Sequence, residues 1–448
     1  MRDELTIGID IGTSALKAVV ASADGRVVAR RRIANKLGFP TADRMEHEAR
    51  QAWRLAPRRV LAEIEKLGLG EPRAICVAGL VPSLAAVDGR GIPVSAGLLY
   101  GDTRGTLPPE VAAMPVGRAP ELLRQLAAIS PGASGYWPLQ AVANASLGGP
   151  GAIDITTAIA MSPLFDGSRW DVSVCAEAGG LPENMPEVAG LGEPVGKVGP
   201  AVLASGIVDT LAEQIVSGAT EAGDVLVICG TTLVIWVVSD EWRDVPGLWT
   251  VPHTVNGKTL IGGASNAGGL FLDWATKFTG SAHGEVSPAS IPVWAPYPRG
   301  ERTPFHDTAR RASLIGLELS HGGRHLQRAA VEAAGFVVRQ HIDLSGVKAK
   351  RVVATGGGTA RSEWLQALAD CTGLPVDVSA VPECGALGAA YVARMAAGLE
   401  LSIEGAAGWA QVGHRVEPNE AWVEPASRRY DMFRRLVADQ GLAPVRPA

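Results

Sequence analysis

Thr6-Ile-Gly-Ile-Asp10-Ile-Gly-Thr13-Ser14-Ala-Leu-Lys17-Ala-Val-Val20 is the stretch whose reading decides the fold. An apolar run, a bend permitted by Gly12 and a second apolar run read as strand, tight turn, strand. The turn exposes Asp10, Thr13, Ser14 and backbone amides on one edge, the make-up of a phosphate cradle. Asp10 is placed to hold Mg²⁺ through water, because Mg²⁺ gives up its waters reluctantly. An ordinary hairpin with a polar tip would carry the same residues, so this stretch alone is not decisive.

The second half of the chain repeats it. Asp224 to Cys229 reads as a strand, Gly230-Thr231-Thr232 as a turn and Leu233 to Val238 as the returning strand. Further on, the buried strand Arg351-Val-Val-Ala-Thr355 runs into Gly356-Gly357-Gly358-Thr-Ala-Arg-Ser362 and then a helix over Glu363 to Cys371. A strand feeding glycines and a helix start lets another molecule approach the backbone closely, and favours a phosphate or a ribose edge. A glycine triplet can equally be a packing device; the two strand–turn–strand units and this one, in order, make a stronger signal.

Between the halves lies Gly206-Ile-Val-Asp209-Thr210-Leu-Ala-Glu-Gln-Ile-Val-Ser-Gly218, which sets a carboxylate at the mouth of a helix. Such a group can take a proton from a hydroxyl. It can also serve as a helix N-cap.

The remaining elements follow from periodicity. Apolar residues at three- and four-residue spacing predict a helix over Glu46 to Leu67, and others over Gly268–Phe278, Leu326–Ile342 and Gly385–Met395. Arg73 to Gly79 is a buried strand. Ala96 to Tyr100 is another, ending in Gly101-Asp102-Thr103-Arg104, where Asp102 and Arg104 form an internal ion pair or touch substrate. Residues 105–150 are interrupted by Pro131, Gly132 and the Gly148–Gly151 run. Val416 to Tyr430 has few apolar anchors and is expected to wrap the surface before a last helix to about Leu442. Trp53, Trp274 and Trp364 fall at helix-core spacing, whereas Trp137, beside Tyr136, is a candidate substrate wall.

A chain of 448 residues is too long for one ordinary core, so two domains are expected, 1–220 and 221–448. With 41 basic against 46 acidic residues, the net charge of −5 argues against a nucleic-acid partner. The five cysteines lack CxxC spacing and mostly lie in apolar runs, as reduced thiols in a cytoplasmic protein do. No apolar run approaches the roughly 18 residues of a membrane span. The N-terminus enters a strand directly, leaving no room for a signal peptide. The histidines lack metal-ligand spacing.

On these motifs the chain resembles the FGGY family of carbohydrate kinases, on its xylulokinase-like branch. The most specific part is Ala312-Ser-Leu-Ile-Gly316-Leu followed, after seven residues, by His325-Leu-Gln-Arg-Ala-Ala-Val-Glu332, which fits the family's C-terminal signature. Pro296 to Pro304 resembles the loop before it. The resemblance implies an α/β protein of two ribonuclease-H-like domains, of actin and hexokinase type, closing over a catalytic cleft. It implies transfer of the ATP γ-phosphoryl group to a sugar or polyol hydroxyl, with ATP and Mg²⁺ as cofactors and a homodimer as a plausible assembly. Asp209 is then the catalytic base and Asp10 lies near Mg²⁺. Thr13, Ser14, Lys17, Gly230 and Thr231 meet the phosphates. Gly357, Gly358 and Ser362 lie by the adenosine.

The acceptor side departs from the family pattern. Where the family reads Gly-Gln and two polar sugar contacts, this chain reads Gly79-Leu80-Val81-Pro82. The residue after the catalytic Asp, commonly an amide, is Thr210. Val81, Pro82, Asp102, Asp209 and Thr210 form the candidate acceptor set. A pocket gains polyol specificity by pairing each hydroxyl, so this one is expected to favour a less polar or unusual acceptor. A xylulokinase proper acting on a pentulose is the first alternative. A catalytically weak nucleotide-binding or regulatory protein is the second.

Overall fold

A computed structural model describes residues 4–438 except Ala42, 106–117, Ser281 and His283. Residues 439–442 of the expected last helix and part of the 105–150 region therefore lie outside the described residues.

The chain forms two units, and their division is not the contiguous one expected. The first takes the chain up to Val216 and also Glu383–Trp409; the second takes Ser217–Pro382 and the chain from Ala410 on.

In the first unit, β1 (Thr6–Ile11), β2 (Ala15–Ala21) and β3 (Val27–Ala34) form an antiparallel meander. β4 (Ala74–Gly79) adds parallel to β1, and β5 (Pro194–Val198), β6 (Ala201–Ala204) and the short β7 (Ile207–Val208) complete the sheet. β1 and β4 are buried along their whole length, which their unbroken apolar runs require of central strands. Each of Ile9, Ile11 and Leu16, fully enclosed, contributes about 1.5–3 kcal/mol relative to exposure.

Glycine and alanine let the helix Cys384–Ala396 return onto this sheet. A Cβ on Gly8 would lie 1.8 Å from the Ala386 carbonyl oxygen, and one on Gly388 would lie 1.9 Å from that of Ala212. This contact explains why the segment belongs with the first unit: its small face fits only a partner without side chains in the way.

The expected helix over Glu46 to Leu67 is shorter than its apolar spacing suggests. Glu46 and His47 pair as a strand with Gly97–Leu99, and helical winding starts at Arg50, continuing as α1 (Ala56–Glu65). Polar anchoring wins over local propensity: the Arg104 guanidinium holds the Glu46 carboxylate at 2.9 Å, and the His47 ring is bonded on both nitrogens. α2 (Ala119–Ile129) and α3 (Leu139–Ser146) follow.

The second unit repeats the meander with β8 (Asp224–Cys229), β9 (Leu233–Ser239) and β11 (Thr259–Ser265), where β10 (Trp249–Pro252) flanks β11. β12 (Arg351–Thr355) lies parallel to β8, and β13 (Val376–Ser379) parallel to β12, with β14 (Val412–Val416) on the edge. In both units the meander is thus followed by parallel strands on the side of its first strand. α4 (Asp209–Ile215) belongs to the first unit; α5 (Gly269–Thr279), α6 (Gly323–Ser345), α7 (Ser362–Thr372) and α8 (Glu420–Ala438) belong to the second.

α8 replaces the expected surface wrap. Its anchors are partly ionic, which hid it from an apolar count: Arg429 pairs with buried Glu332 at 2.7 Å, and the Arg328 guanidinium lies 3.8 Å over the Trp422 ring. Trp53 and Trp364 are enclosed, but Trp274 is 40% exposed and stacks on Phe278 at 5.7 Å, so it is not a core residue. Trp137 is no free wall: Cβ atoms on Gly91 and Gly151 would meet its ring at 2.5 and 2.3 Å. All five cysteines are buried and none is in a disulfide. Among the described residues no helix is long and apolar enough to cross a membrane.

Candidate active site

In the first unit, strand register assembles the site. Ile11 of β1 and Val208 of β7 both stand level with Gly79 of β4, all three strands parallel. The next residues, Gly12, Leu80 and Asp209, therefore leave the sheet side by side at its carboxyl edge, where open α/β sheets bind ligands. This brings together the phosphate turn, the apolar 80–82 segment and the candidate base.

The bends there are supported from below. Gly206 has φ +116°, and a Cβ on it would lie 3.2 Å from the Val77 carbonyl oxygen. Two amides one turn apart on α3 hold the neighbouring carbonyls: Gln140 donates to Gly79 (2.8 Å), and Asn144 donates to Ala152 and Ser205 (2.9 Å each). Both are fully buried and share one face of the helix at i, i+4. Asp209 begins α4, partly exposed, with the Thr210 amide donating to its carboxylate at 2.7 Å. It stands one position past the N-cap, which is Val208. Glu213 follows one turn later on the same face, a second acid that motif reading passed over.

Asp10 and Lys17 are cross-strand partners, and their charges meet at 3.8 Å. Burial lifts the Asp10 carboxyl above its ordinary range, and Lys17 holds it back. Burial works against the charge on Lys17, yet Asp10, Glu213 and Glu383 carry its pKa above the usual lysine value. Lys17 thus stands against an acidic cluster. Among the described residues no group of three or more His, Cys, Asp or Glu side chains could cage a metal. A Cβ on Gly385 would fall 3.2 Å from an Asp10 carboxylate oxygen and 3.5 Å from Glu213 Cγ, so both acids border one small space. This suits Mg²⁺, which needs one or two carboxylates and keeps waters.

Every carbonyl of the turn after β1 is held from behind. Asn35 Nδ2 donates to Gly12 (2.9 Å), His47 Nε2 to Thr13 (2.7 Å) and the Asn35 amide to Ser14 (2.9 Å). The Thr13 hydroxyl lies 3.5 Å from that of Tyr100.

Asp102 is fully buried and accepts from Arg104 at 2.6 Å and from the Met45 amide at 3.2 Å. It is the internal ion pair; with no exposed surface it drops out of the acceptor set. Leu80 is buried, whereas Val81 and Pro82 are partly exposed.

In the second unit, the turn Gly230–Thr232 ends β8. The first amides of α5 hold it: Gly269 donates to Gly230 (2.9 Å) and Leu270 to Thr231 (3.0 Å). The glycines after β12 have distinct tasks. Gly356 (φ +86°) and Gly358 pack against Cys229, whose carbonyl oxygen would lie 2.9 and 2.6 Å from their Cβ atoms, so both positions have no room for a side chain. Gly357 alone of the triplet faces open space. Ser362 opens α7, exposed. Arg361 pairs with Asp273 of α5.

A model of the N-terminal domain of the FGGY family of carbohydrate kinases matches residues 5–107, and one of the C-terminal domain matches residues 225–397. With this fold and these turns, the chain belongs to the FGGY family of carbohydrate kinases. It is a phosphotransferase that uses ATP to phosphorylate a sugar or polyol. The xylulose kinase of Escherichia coli (strain K12) is 26% identical, across 89% of this chain and 91% of the relative. A glycerol kinase of Symbiobacterium thermophilum is also 26% identical, across 89% and 91%. The crystal structure of xylulose kinase from Rhodospirillum rubrum matches with a TM-score of 0.77 at 26% identity, covering 97% of this chain and 98% of that one.

Proposed function

We propose that Asp209 is the general base of this kinase and that its acceptor carries fewer recognised hydroxyls than a pentulose. The register that sets Asp209 level with Leu80, at the edge where the phosphate turn also emerges, carries the reading. A loose phosphoryl-transfer transition state needs positioning and charge neutralisation more than covalent help. Asp209 orients the acceptor hydroxyl and accepts its proton, typically worth ~10²–10⁴-fold. Backbone amides of the turns at 12–14 and 230–232 take the ATP phosphates, and the open face at Gly357 with Ser362 takes the nucleoside. Asp10, with Glu213 beside it, would hold Mg²⁺, which neutralises phosphate charge when bound.

Leu80, Val81 and Pro82 offer the acceptor apolar surface, and Thr210 follows the base with a hydroxyl in place of an amide. A site lacking partners for several hydroxyls leaves those of a pentulose unpaired, which costs affinity. The pentulose reading is kept as the competitor because a 26%-identical relative spanning both chains is a xylulose kinase.

An ATP-consumption screen over ketoses, aldoses, short polyols and deoxy-sugars tests the acceptor. A deoxy-sugar or short polyol with the highest kcat/KM is expected. Xylulose as the best substrate overturns the less polar assignment. ATP binding without turnover on any acceptor overturns the assignment of a working base.

A further inference from the structure

His47 lies outside every motif of the family resemblance, yet it is bonded on both ring nitrogens inside the first unit. Trp53 Nε1 donates to His47 Nδ1 at 3.1 Å, and His47 Nε2 meets the Thr13 carbonyl at 2.7 Å. An indole nitrogen only donates and a carbonyl only accepts. Nδ1 must therefore carry the lone pair and Nε2 the proton, which settles the tautomer. Burial keeps the pKa of His47 below the ordinary histidine value, in line with a neutral ring. Trp53 is fully enclosed and His47 nearly so, leaving the ring no other orientation that keeps both bonds.

The consequence lies across the peptide. A trans peptide is planar, and its C=O and N–H point in opposite directions. The Gly12 carbonyl, held by Asn35 Nδ2, sends the Thr13 N–H the other way. The Thr13 carbonyl, held by His47 Nε2, does the same for the Ser14 N–H. Among the described residues no protein acceptor takes either amide. Two successive amides directed away from their anchors form a concavity for an anion.

We infer that His47, with its tautomer set by Trp53, is a positioning residue that aims the Ser14 amide at a nucleotide phosphate, Asn35 doing the same for the Thr13 amide. This rests on the assignment of the 12–14 turn to phosphate in the preceding section. His47 itself touches no phosphate; it acts through the Thr13 peptide. The effect is specific to phosphate, and the nucleoside should not sense it.

Titration calorimetry on the full chain, with ATP and with adenosine, separates the possibilities. His47→Leu is expected to weaken ATP binding about tenfold, the scale of one buried carbonyl left unpaired, with adenosine affinity unchanged. His47→Gln, whose amide reaches the position of Nε2, should restore ATP binding to within about threefold. His47→Asn, whose amide falls at Nδ1, should not. If His47→Leu does not fold, the Gln and Asn variants still decide. Wild-type ATP affinity in His47→Leu, or equal losses for Gln and Asn, overturns the inference. A parallel loss of adenosine affinity would reduce His47 to a structural role. Failure of the wild-type chain to bind ATP more tightly than adenosine would instead remove the phosphate assignment of the turn, and this inference with it.

Discussion

The two Gly-Thr turns have the same outline and are held by different means. After β1, side chains from distant parts of the sequence, Asn35 and His47, anchor the carbonyls of Gly12 and Thr13. After β8, the main chain of α5 does it, through the amides of Gly269 and Leu270. In both turns the following amides, Thr13 and Ser14 in one and Thr231 and Thr232 in the other, are turned outward by the same peptide geometry. The first design can be tuned by one side-chain change. The second can be broken only by moving a helix, and it depends on glycines: a Cβ on Gly268 would lie 2.3 Å from the Thr232 carbonyl carbon and 2.5 Å from its Cα.

Variants can push on each turn separately, and on the proposed base Asp209. The largest change is expected from Asp209→Asn, which should lower turnover by at least ~10²-fold while ATP affinity, measured by calorimetry, stays put. That result would show that both turns grip without the base. Gly268→Ala comes next. Its methyl group forces α5 off the second turn, so ATP binding should fall more than tenfold and stability by ~1–3 kcal/mol, read by denaturant unfolding. Equal ATP affinity with intact stability would mean that the backbone design is no more rigid than the side-chain one.

Trp53→Phe should act more gently on the first turn. It removes the donor that sets the His47 tautomer but leaves the ring in place, so a loss of a few-fold in ATP affinity is expected, smaller than for His47→Leu. A larger loss than for His47→Leu would contradict the order of the relay. Gly357→Ala, in open space, should leave stability within ~0.5 kcal/mol, whereas Gly358→Ala meets Trp364 at 2.4 Å and should not fold normally.

The smallest effect is on the pH dependence of stability. Glu301 accepts from Ser265 and from the Asn266 amide just before α5, and burial pushes its carboxyl up to about 7. The folded chain then holds this proton more tightly than the unfolded chain does. The stabilisation is complete below about 4.5, the carboxyl's unperturbed value, and is lost as pH rises through about 7. Glu301→Gln should flatten that part of the Tm profile between pH 5 and 8, by comparison with the wild type.

Strands and turns were legible because their signals are local. β8 and β12 begin and end where their apolar runs do, and Gly12 and Gly230 mark the turns. The division of labour within Gly356–Gly358 was not legible, since it depends on where Cys229 lies. Asn35, His47, Gln140 and Asn144 act on backbone groups 23, 34, 61 and 61 residues away, and nothing in their own neighbourhoods announces that. The strand at Glu46 and His47 was hidden for the same reason: a helix-like spacing around it lost to contacts made elsewhere. Lys17 was assigned by motif, and the acids it stands against come also from α4 and from the start of the returning helix.

That returning helix has a consequence for biosynthesis. A ribosome has emitted the whole β1–β7 sheet long before residue 396 is polymerised, so Gly8 and the Ala212 carbonyl have no mate during that interval. A chain stopped at Val216 would therefore leave the surface around Gly8 and Ala212 bare to any passing chaperone, and cutting the gene there should give insoluble product unless Glu383–Trp409 is supplied as well.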